Sequence, residues 1–167
     1  MYVSHDDLEQ YSRKNSLEIH GVPEDLCTSA EDVVIKLSEL LNKPDQGKDI
    51  AITHKIYSGK NKLRNFIVKF ISHKKKSALY KKQTALKNVR ISQLFPHCSA
   101  ATALASKRLY INENLTPFQR DLMKEANQMR KDGMLSSVWS TDSKIYVNTS
   151  PNGAAQRIHS QEDLDNL

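Results

Sequence analysis

The chain contains few cysteines, glycines, prolines and aromatic residues, and it has no long apolar segment. Its 167 residues include two cysteines, Cys27 and Cys98, which are too few for a disulfide framework or a four-ligand zinc site. Five Gly and five Pro exclude a collagen-like or low-complexity composition. No apolar run approaches the roughly 18 residues of a membrane helix, and the acidic N-terminus lacks a signal-peptide pattern. These absences predict a soluble intracellular protein, cytoplasmic or nuclear, that does not contact membranes.

Catalytic motifs are also missing. The sequence has no Gly-rich phosphate loop, no His-x-x-x-His spacing, no paired-cysteine motif and no recognisable Ser/His/Asp grouping. His97 and Cys98 are adjacent and join a base to a nucleophile, but they lie in a Ser/Ala-rich stretch without the context of an active site. We therefore predict that the protein is not an enzyme, has no catalytic residues, and needs neither a metal nor a cofactor.

Acidic residues are absent from a 63-residue stretch in the middle of the chain. Residues 50–112 contain 14 lysines and arginines and no Asp or Glu, whereas residues 1–49 carry a net charge of −6 and residues 113–167 one of −2. A block without local carboxylates presents a strong positive field to a polyanion. Nucleic acid is therefore the predicted partner. The alternative is that the lysines at 74–76, 81 and 82 form only a solvated helix face.

The order of periodic segments predicts an α+β fold with two domains. Residues 16–112 show strand, helix, strand, strand, helix, strand, which is the ferredoxin-like β-α-β-β-α-β order. The four-stranded sheet of such a domain keeps one face uncovered, and we expect that open face to bind. The predicted divisions are residues 1–15 as the stub of an upstream coiled coil or linker helix, 16–114 as the ferredoxin-like domain, and 115–167 as a small C-terminal domain.

Alternation and capping residues place the elements of the larger domain. Ser29 with Asp32, or Thr28 with Glu31, forms a helix cap ahead of an apolar stripe. In the second predicted strand, Ile50, Ile52 and Ile56 are expected to point inward. In the third, Phe66, Val68 and Phe70 point inward and Asn65, Ile67 and Lys69 outward. In the fourth, Leu109 and Ile111 point inward and Tyr110 outward.

The region between the third and fourth strands is less regular. A second helix is predicted over residues 72–87, with Ile71, Ala78, Leu79, Ala85 and Leu86 on its apolar side. Residues 89–106 fit no element, and we interpret them as an inserted loop.

Caps and turns also predict the small C-terminal domain. The residues Thr116 to Gln119 combine a capping Thr, a Pro at the first helical position and a Gln at the third. The helix that they start is expected to run to Lys131 and to stop at Gly133. A hairpin over residues 138–147 and a short capped helix over 160–167 follow. With about 50 residues and few apolar side chains, this domain is expected to need docking on the first to stay folded.

Four motifs, in the same order along the chain, resemble one family. The run LEQYSRKNSLEIHGVPE from Leu8 to Glu24 resembles the start of the folded region in the first-open-reading-frame proteins of LINE-type retrotransposons. It also resembles their viral relatives, the baculovirus few-polyhedra (FP) proteins. The run RNFIVKF from Arg64 to Phe70 is similar to the family's arginine-led third strand, YINENLTP from Tyr110 to Pro117 to its interdomain junction, and residues 139–147 to its C-terminal hairpin.

The resemblance implies both an organisation and a function. The family has a coiled coil, a divergent RNA-recognition-motif domain and a small C-terminal domain, and it holds single-stranded nucleic acid in a basic cleft between the last two. A ribonucleoprotein component with nucleic-acid chaperone activity is therefore implied. Residues 1–15 are too short to trimerise alone, so we expect a homo-oligomer only where an upstream coiled coil exists. On this interpretation the chain is a fragment, a decayed copy or a domesticated remnant, and residues 89–106 depart from the family pattern.

The expected mode of binding is electrostatic. RNA-recognition motifs stack bases on aromatic residues of their two central strands, but Glu18, His20, Asn65 and Ile67 stand at the corresponding positions here. We therefore expect poor sequence readout and affinity that depends on phosphate contacts. The residues predicted to contact phosphates are Arg13, Lys14, Arg64, Lys69, Lys74, Lys75, Lys76, Lys81 and Lys82.

The C-terminal domain is predicted to complete the site. Arg120, Lys124 and Arg130 would close the cleft, with Arg120 favoured by the resemblance. Tyr110 and Trp139 are the predicted stacking platforms, although a single Trp in a small hairpin is more often a core residue. The predicted function is sequence-independent binding of single-stranded RNA or DNA. The alternative is a non-enzymatic interaction or structural protein related to the FP proteins, or a remnant that does not bind RNA.

Overall fold

The computed structural model describes residues 4–24, 29–41, 46–57, 63–96 and 107–167. These residues form two compact units. The central unit is Asn15–Asn114, and the C-terminal unit combines residues 4–14 with Leu115–Leu167. Cys27, Cys98, His97 and the alternative helix cap at Thr28 lie outside the described residues.

The central unit has the predicted ferredoxin-like order. After helix α1 (His5–Arg13), which belongs to the other unit, the elements are β1 (Ser16–Pro23), α2 (Ala30–Leu40), a 3-10 helix (Gln46–Asp49), β2 (Ile50–Tyr57), β3 (Leu63–Phe70), α3 (His73–Tyr80), a second 3-10 helix (Gln83–Asn88), α4 (Ile91–Leu94) and β4 (Tyr110–Glu113). The strands form one antiparallel sheet in the order β2-β3-β1-β4. The predicted α+β class is confirmed.

Helix α2 begins where its capping residues predict. The Ser29 hydroxyl accepts a hydrogen bond from the Asp32 backbone N–H at 3.0 Å, and the Asp32 carboxylate accepts one from the Ser29 N–H at 3.2 Å. This reciprocal box satisfies two of the N–H groups that a helix start leaves unpaired. The stripe that follows, Val33, Val34 and Leu37, is fully buried.

The apolar core of the central unit lies on one face of the sheet. Phe66, Val68 and Phe70 of β3 are buried as predicted, and they pack with Leu37 of α2 and Leu79 of α3 in one cluster. The opposite, open face carries the alternate residues of the same strands, since successive side chains of a strand point to opposite faces. Its residues include Glu18, His20, Asn65, Ile67, Lys69, Tyr110 and Asn112.

Strand β2 departs from the predicted orientation because it contains a bulge. Ile50 pairs with Phe70 and Ile52 with Lys69, so the register shifts by one residue between Ile50 and Ile52. An extra residue in one strand moves every later side chain to the other face. Ile50 is partly buried against the core, but Ile52 is 47% exposed and lies on the open face, as does Ile56 opposite Asn65. The prediction that Ile52 and Ile56 point inward is wrong.

The second predicted helix is interrupted. Helix α3 starts at the cap Ser72, ends at Tyr80, and is followed by a turn and the 3-10 helix. Leu79 and Leu86 are buried as predicted, whereas Ile71 and Ala85 are exposed. The break falls in a run of polar residues, Lys-Lys-Gln-Thr from 81 to 84, which gives a continuous helix no apolar stripe to bury.

The stretch interpreted as an inserted loop begins as part of the core. Helix α4 buries Ile91 and Leu94, and the Ile91 backbone N–H donates to the Lys107 carbonyl at 2.9 Å. Residues 97–106 of the same stretch lie outside the described part. Sequence periodicity missed α4 because a single turn is too short to show a 3.6-residue period.

Gly21 permits a close approach between β1 and the segment before β4. Its φ is +90°, and a Cβ at this position would lie 3.0 Å from the Arg108 carbonyl oxygen. We expect Gly21→Ala to lower the free energy of unfolding by about 2–3 kcal/mol, because it combines a left-handed φ with a backbone contact. Gly133→Ala is the control, since Gly133 has φ +80° but nothing within 4 Å, and its expected cost is about 1–2 kcal/mol. Equal losses in urea denaturation would contradict the contact.

The C-terminal unit contains a three-stranded sheet rather than a hairpin alone. Its remaining elements are α5 (Pro117–Lys131), β5 (Ser137–Thr141), β6 (Lys144–Asn148), β7 (Gln156–Ile158) and α6 (Gln161–Asp165), with the antiparallel strand order β5-β6-β7. The predicted helix and hairpin are confirmed, whereas β7 was not predicted. The core of this unit consists of Leu122, Ala126, Leu135, Ile145, Val147, Ile158 and Leu164.

Caps and turns define this unit as predicted. Thr116 accepts the Gln119 N–H at 3.2 Å, with Pro117 at the first helical turn. At α6, the backbone N–H groups of His159 and Ser160 donate to the Asp163 carboxylate and lower the pKa of Asp163, with the His159 bond as the main cause. A lowered folded-state pKa means that this cap stabilises the unit above the ordinary Asp pKa and is lost as the pH falls through the lowered value.

Helix α1 belongs to the C-terminal unit, a grouping that the sequence did not indicate. Gln10 is buried, and its Oε1 accepts the Thr116 backbone N–H at 2.8 Å. Arg13 donates to the Leu115 carbonyl at 3.4 Å. These two bonds connect α1 to the residues that precede α5.

Candidate nucleic-acid interface

The two carboxylates that border the acid-free block both pair with lysines of α3. Asp49 and Glu113 are the first acidic residues on either side of residues 50–112. Lys75 Nζ lies 3.0 Å from Asp49 Oδ2, and Lys76 Nζ bonds to Glu113 Oε1. The side chains of Lys76 and Glu113 are each 1% exposed. The prediction that Lys76 contacts phosphate is therefore wrong, because its ammonium is buried and already paired.

Most of the described cations of the block lie at the surface. Nine of the 12 lysines and arginines described between residues 50 and 112 are exposed. They include the predicted Lys69, Lys74, Lys75, Lys81 and Lys82, together with Lys55, Lys87, Arg90 and Lys107, which were not predicted.

The structure separates Arg64 from Lys69. Arg64 lies on the same side of β3 as Phe66, its side chain is 25% exposed, and its Nε is 3.8 Å from Glu24 Oε1. Lys69 is exposed on the open face. The two predicted phosphate contacts of the third strand therefore belong to opposite faces of the sheet.

The open face itself carries little positive charge. Its central carboxylate, Glu18, is buried, and one of its oxygens lies 2.9 Å from His20 Nε2. Ile52 and Ile67 add apolar surface, and Lys69 is its exposed lysine. A phosphate backbone would find most of the described cations on the helical side and at the sheet edges instead, a distribution that the linear charge count does not reveal.

Tyr110 is the exposed aromatic side chain of this face. It is 52% exposed, between the buried Leu109 and Ile111, as predicted. The Arg108 guanidinium lies 5.7 Å from the Tyr110 ring centroid, and Arg108 Nη1 donates to the Lys87 carbonyl at 2.7 Å. Sequence reasoning missed Arg108 and Lys87 because 21 positions separate them, and only the fold brings them together.

In the C-terminal unit two predicted arginines converge. Arg13 Nη1 and Arg120 Nη2 both donate to the Leu115 carbonyl, at 3.4 and 3.2 Å. Arg13 also forms an ion pair with Glu9. The guanidinium groups are thus held near each other by one acceptor, which is an arrangement able to receive a phosphate from two sides.

The remaining predicted cations of this unit are dispersed. Lys124 and Arg130 are exposed on α5. Lys14 Nζ lies 3.6 Å from the Tyr11 ring centroid, and its hydrogen bond and charge lower the pKa of the Tyr11 hydroxyl. Lys14 is therefore already engaged with an aromatic ring.

Trp139 is not part of the apolar core. It pairs with Tyr146 across the β5–β6 hairpin, on the sheet face opposite to Ile145 and Val147. The two rings stack with centroids 5.8 Å apart and an interplanar angle of 17°. Arg157 of β7 pairs with Tyr146 on the same face. This half-buried aromatic pair beside a cation has the chemistry of a stacking platform.

Other site types find no support in the described part of the chain. Its His, Cys, Asp and Glu residues form no group of three or more that could hold a metal ion. Its helices include none that is both long and apolar enough to span a membrane.

Comparisons with known proteins assign no family to this chain. No protein-family model matches it, and no curated protein matches it either. The resemblance to the LINE-type and FP proteins therefore stays a prediction that depends on the motifs quoted above.

Proposed function

We propose that the chain binds single-stranded RNA or DNA without sequence readout, as the nucleic-acid-binding part of a LINE-type retrotransposon protein. The observation that carries the proposal is the surface of the acid-free block, where nine of 12 described cations are exposed. The bordering carboxylates, Asp49 and Glu113, are paired with Lys75 and Lys76. The exposed lysines therefore lie in a region with few negative charges, and such a surface favours the binding of a polyanion.

Poor sequence readout follows from the kind of contacts available. Lysine ammonium groups position a phosphate backbone but carry no information on the bases. The central strands present Glu18, His20, Asn65 and Ile67 instead of stacking aromatic residues. Affinity would thus depend on the number of phosphates contacted and on salt concentration. Coating or chaperoning of an RNA requires this kind of contact, because the protein must tolerate every sequence.

Arg120 is the residue of the C-terminal unit best placed to contribute. It is exposed on the first turns of α5, and it shares the Leu115 carbonyl with Arg13. A planar guanidinium pairs with phosphate in a bidentate manner and also stacks on a base. We expect this arginine pair to contact phosphates of a bound single strand.

The proposal predicts a salt-dependent affinity that a lysine triple variant weakens. With about six phosphates contacted, the logarithm of affinity for a single-stranded oligonucleotide should fall with log salt at a slope of about −4. Replacing Lys74, Lys81 and Lys82 together by Gln should reduce the slope to about −2, since each lost contact removes about 0.7. Fluorescence anisotropy with RNA and DNA, single-stranded and duplex, between about 50 and 300 mM salt measures both values.

A charge-matched control separates local contacts from net charge. Lys36, Lys48 and Lys131 are exposed lysines outside the acid-free block, and their triple Gln variant has the same net charge as the test variant. We expect it to retain the parent slope. A flat salt response of the parent chain would reject nucleic-acid binding and favour an interaction or structural protein, and equal losses in both triple variants would reject the block as the binding surface.

A further inference from the structure

A groove opens at the edge of the central sheet. It lies between the 3-10 helix Gln83–Asn88 and strand β4, and its volume is about 400 Å³. We call it the β4 groove. The residues that line it are Gln83, Thr84, Leu86, Lys87, Arg108, Leu109, Tyr110, Ile111 and Asn112. They include two cations, Lys87 and Arg108, and no carboxylate. The charge of the lining therefore favours an anionic ligand.

Hydrogen bonds fix the basic wall of the groove in place. Arg108 Nη1 donates to the Lys87 carbonyl, which joins the two walls, and the guanidinium lies against the Tyr110 ring. The backbone next to Arg108 is also held, because the Ile91 N–H donates to the Lys107 carbonyl. A guanidinium oriented in advance loses less conformational entropy when it binds a ligand.

The chemistry of the lining matches one class of ligand. Leu86, Leu109 and Ile111 belong to the buried core beneath the groove, and Tyr110 offers an exposed ring against which a planar group can stack. Polar groups at Gln83, Thr84 and Asn112 can hydrogen-bond to the edge of such a group. A planar heterocycle attached to a phosphate, which is a nucleotide, satisfies the aromatic ring, the amides and the cations together.

We propose that the β4 groove holds one nucleotide of the bound strand, with its base against Tyr110 and its phosphate at Arg108 and Lys87. The inference rests on the proposed function and adds the source of single-strand preference. Surface lysines contact the phosphates of a duplex as readily as those of a single strand. A base that enters the groove must leave its stack and its partner strand, and this costs a duplex more free energy than a single strand, whose bases are already unpaired.

The test is the ratio of affinities for single-stranded and duplex oligonucleotides of one sequence. Tyr110→Leu keeps an apolar side chain but removes the ring, and it should raise the Kd for the single strand about 5- to 100-fold while the duplex Kd stays unchanged. Tyr110→Phe should retain the parent ratio. Phe118→Leu is the matched control, because Phe118 is exposed to a similar extent in the other unit.

A crosslink supplies a readout that does not depend on affinity. A single-stranded oligonucleotide with 5-iodouridine should crosslink under ultraviolet light to Tyr110, and Arg108→Gln should reduce the yield. Crosslinks elsewhere with none at Tyr110, or equal loss of single-strand and duplex affinity in Tyr110→Leu, would overturn the groove proposal while salt-dependent binding stands. A parent chain that binds neither form would overturn both proposals.

Discussion

Replacing Glu113 by Ala is expected to lower the free energy of unfolding of the central unit by about 3–5 kcal/mol. The variant leaves the Lys76 ammonium in a site where it is 1% exposed, without the carboxylate that compensates its charge. Because domains of this size are stable by only about 5–15 kcal/mol, the variant should lose a large share of the unit's stability and unfold at a much lower urea concentration. Urea denaturation followed by far-ultraviolet circular dichroism measures the loss. The fluorescence of Trp139, the single tryptophan, reports separately on the C-terminal unit.

Two further variants show whether the loss comes from an uncompensated charge. Lys75→Ala removes an ion pair whose lysine is about half exposed, and its expected cost is at most about 1 kcal/mol. Lys76→Met combined with Glu113→Leu removes both buried charges, and its stability should return close to that of the parent. A loss below about 1 kcal/mol in Glu113→Ala would show that the Lys76 ammonium reaches water. The sequence-based prediction that Lys76 contacts phosphate would then be restored.

The three consecutive lysines of α3 illustrate what sequence reasoning misses about a basic run. Successive residues of a helix are rotated by about 100°, so Lys74, Lys75 and Lys76 point in different directions. Ser72 caps the helix and sets its phase. Lys76 then lies three positions before the buried Leu79 and shares its side of the helix, which faces the sheet. The sequence contains this phase, but the partner Glu113 lies 37 positions away and becomes visible only in the fold.

The order of the elements was predictable because it depends on local patterns. Strand alternation at Phe66 to Phe70, the capping box of Ser29 and the Pro117 helix start each act within a few residues. The bulge in β2 was not predictable, because Ile50 and Ile52 fit a regular strand equally well and only the pairing with β3 reveals the extra residue. Strand β7 was missed for a related reason, since three residues show no period.

In the candidate sites, too, features that depend on neighbouring residues could be predicted, whereas contacts between distant residues could not. The outward orientation of Tyr110 follows from its buried neighbours in the sequence and is confirmed by its exposure. The contact between Arg108 and the Lys87 carbonyl, and the convergence of Arg13 and Arg120 on Leu115, join residues that are far apart in the chain. Charge counting identified the block that contains Lys87 and Arg108, but it includes neither Arg13 nor Arg120 and does not reveal the geometry that groups these cations.

Phe70→Ala and Ile52→Ala should differ strongly in stability, although the sequence predicts that both side chains point inward. Phe70 is 1% exposed and packs in the main apolar cluster, so its truncation should cost about 3–5 kcal/mol. Ile52 lies beyond the bulge on the open face, and Ile52→Ala should change the free energy of unfolding by no more than about 0.5 kcal/mol. Urea denaturation of the two variants measures both values.

The stability of Ile52→Ala relative to Phe70→Ala also determines how binding measurements on variants of the open face are interpreted. If Ile52→Ala is neutral, the open face carries little of the folding energy, and a loss of nucleic-acid affinity in a variant of that face reports on binding. A loss near that of Phe70→Ala would instead place Ile52 in the core and contradict the bulge. The open face would then shift in register by one residue along β2, and His54, which lies opposite Ile67 in the observed pairing, would leave the surface on which Tyr110 is exposed.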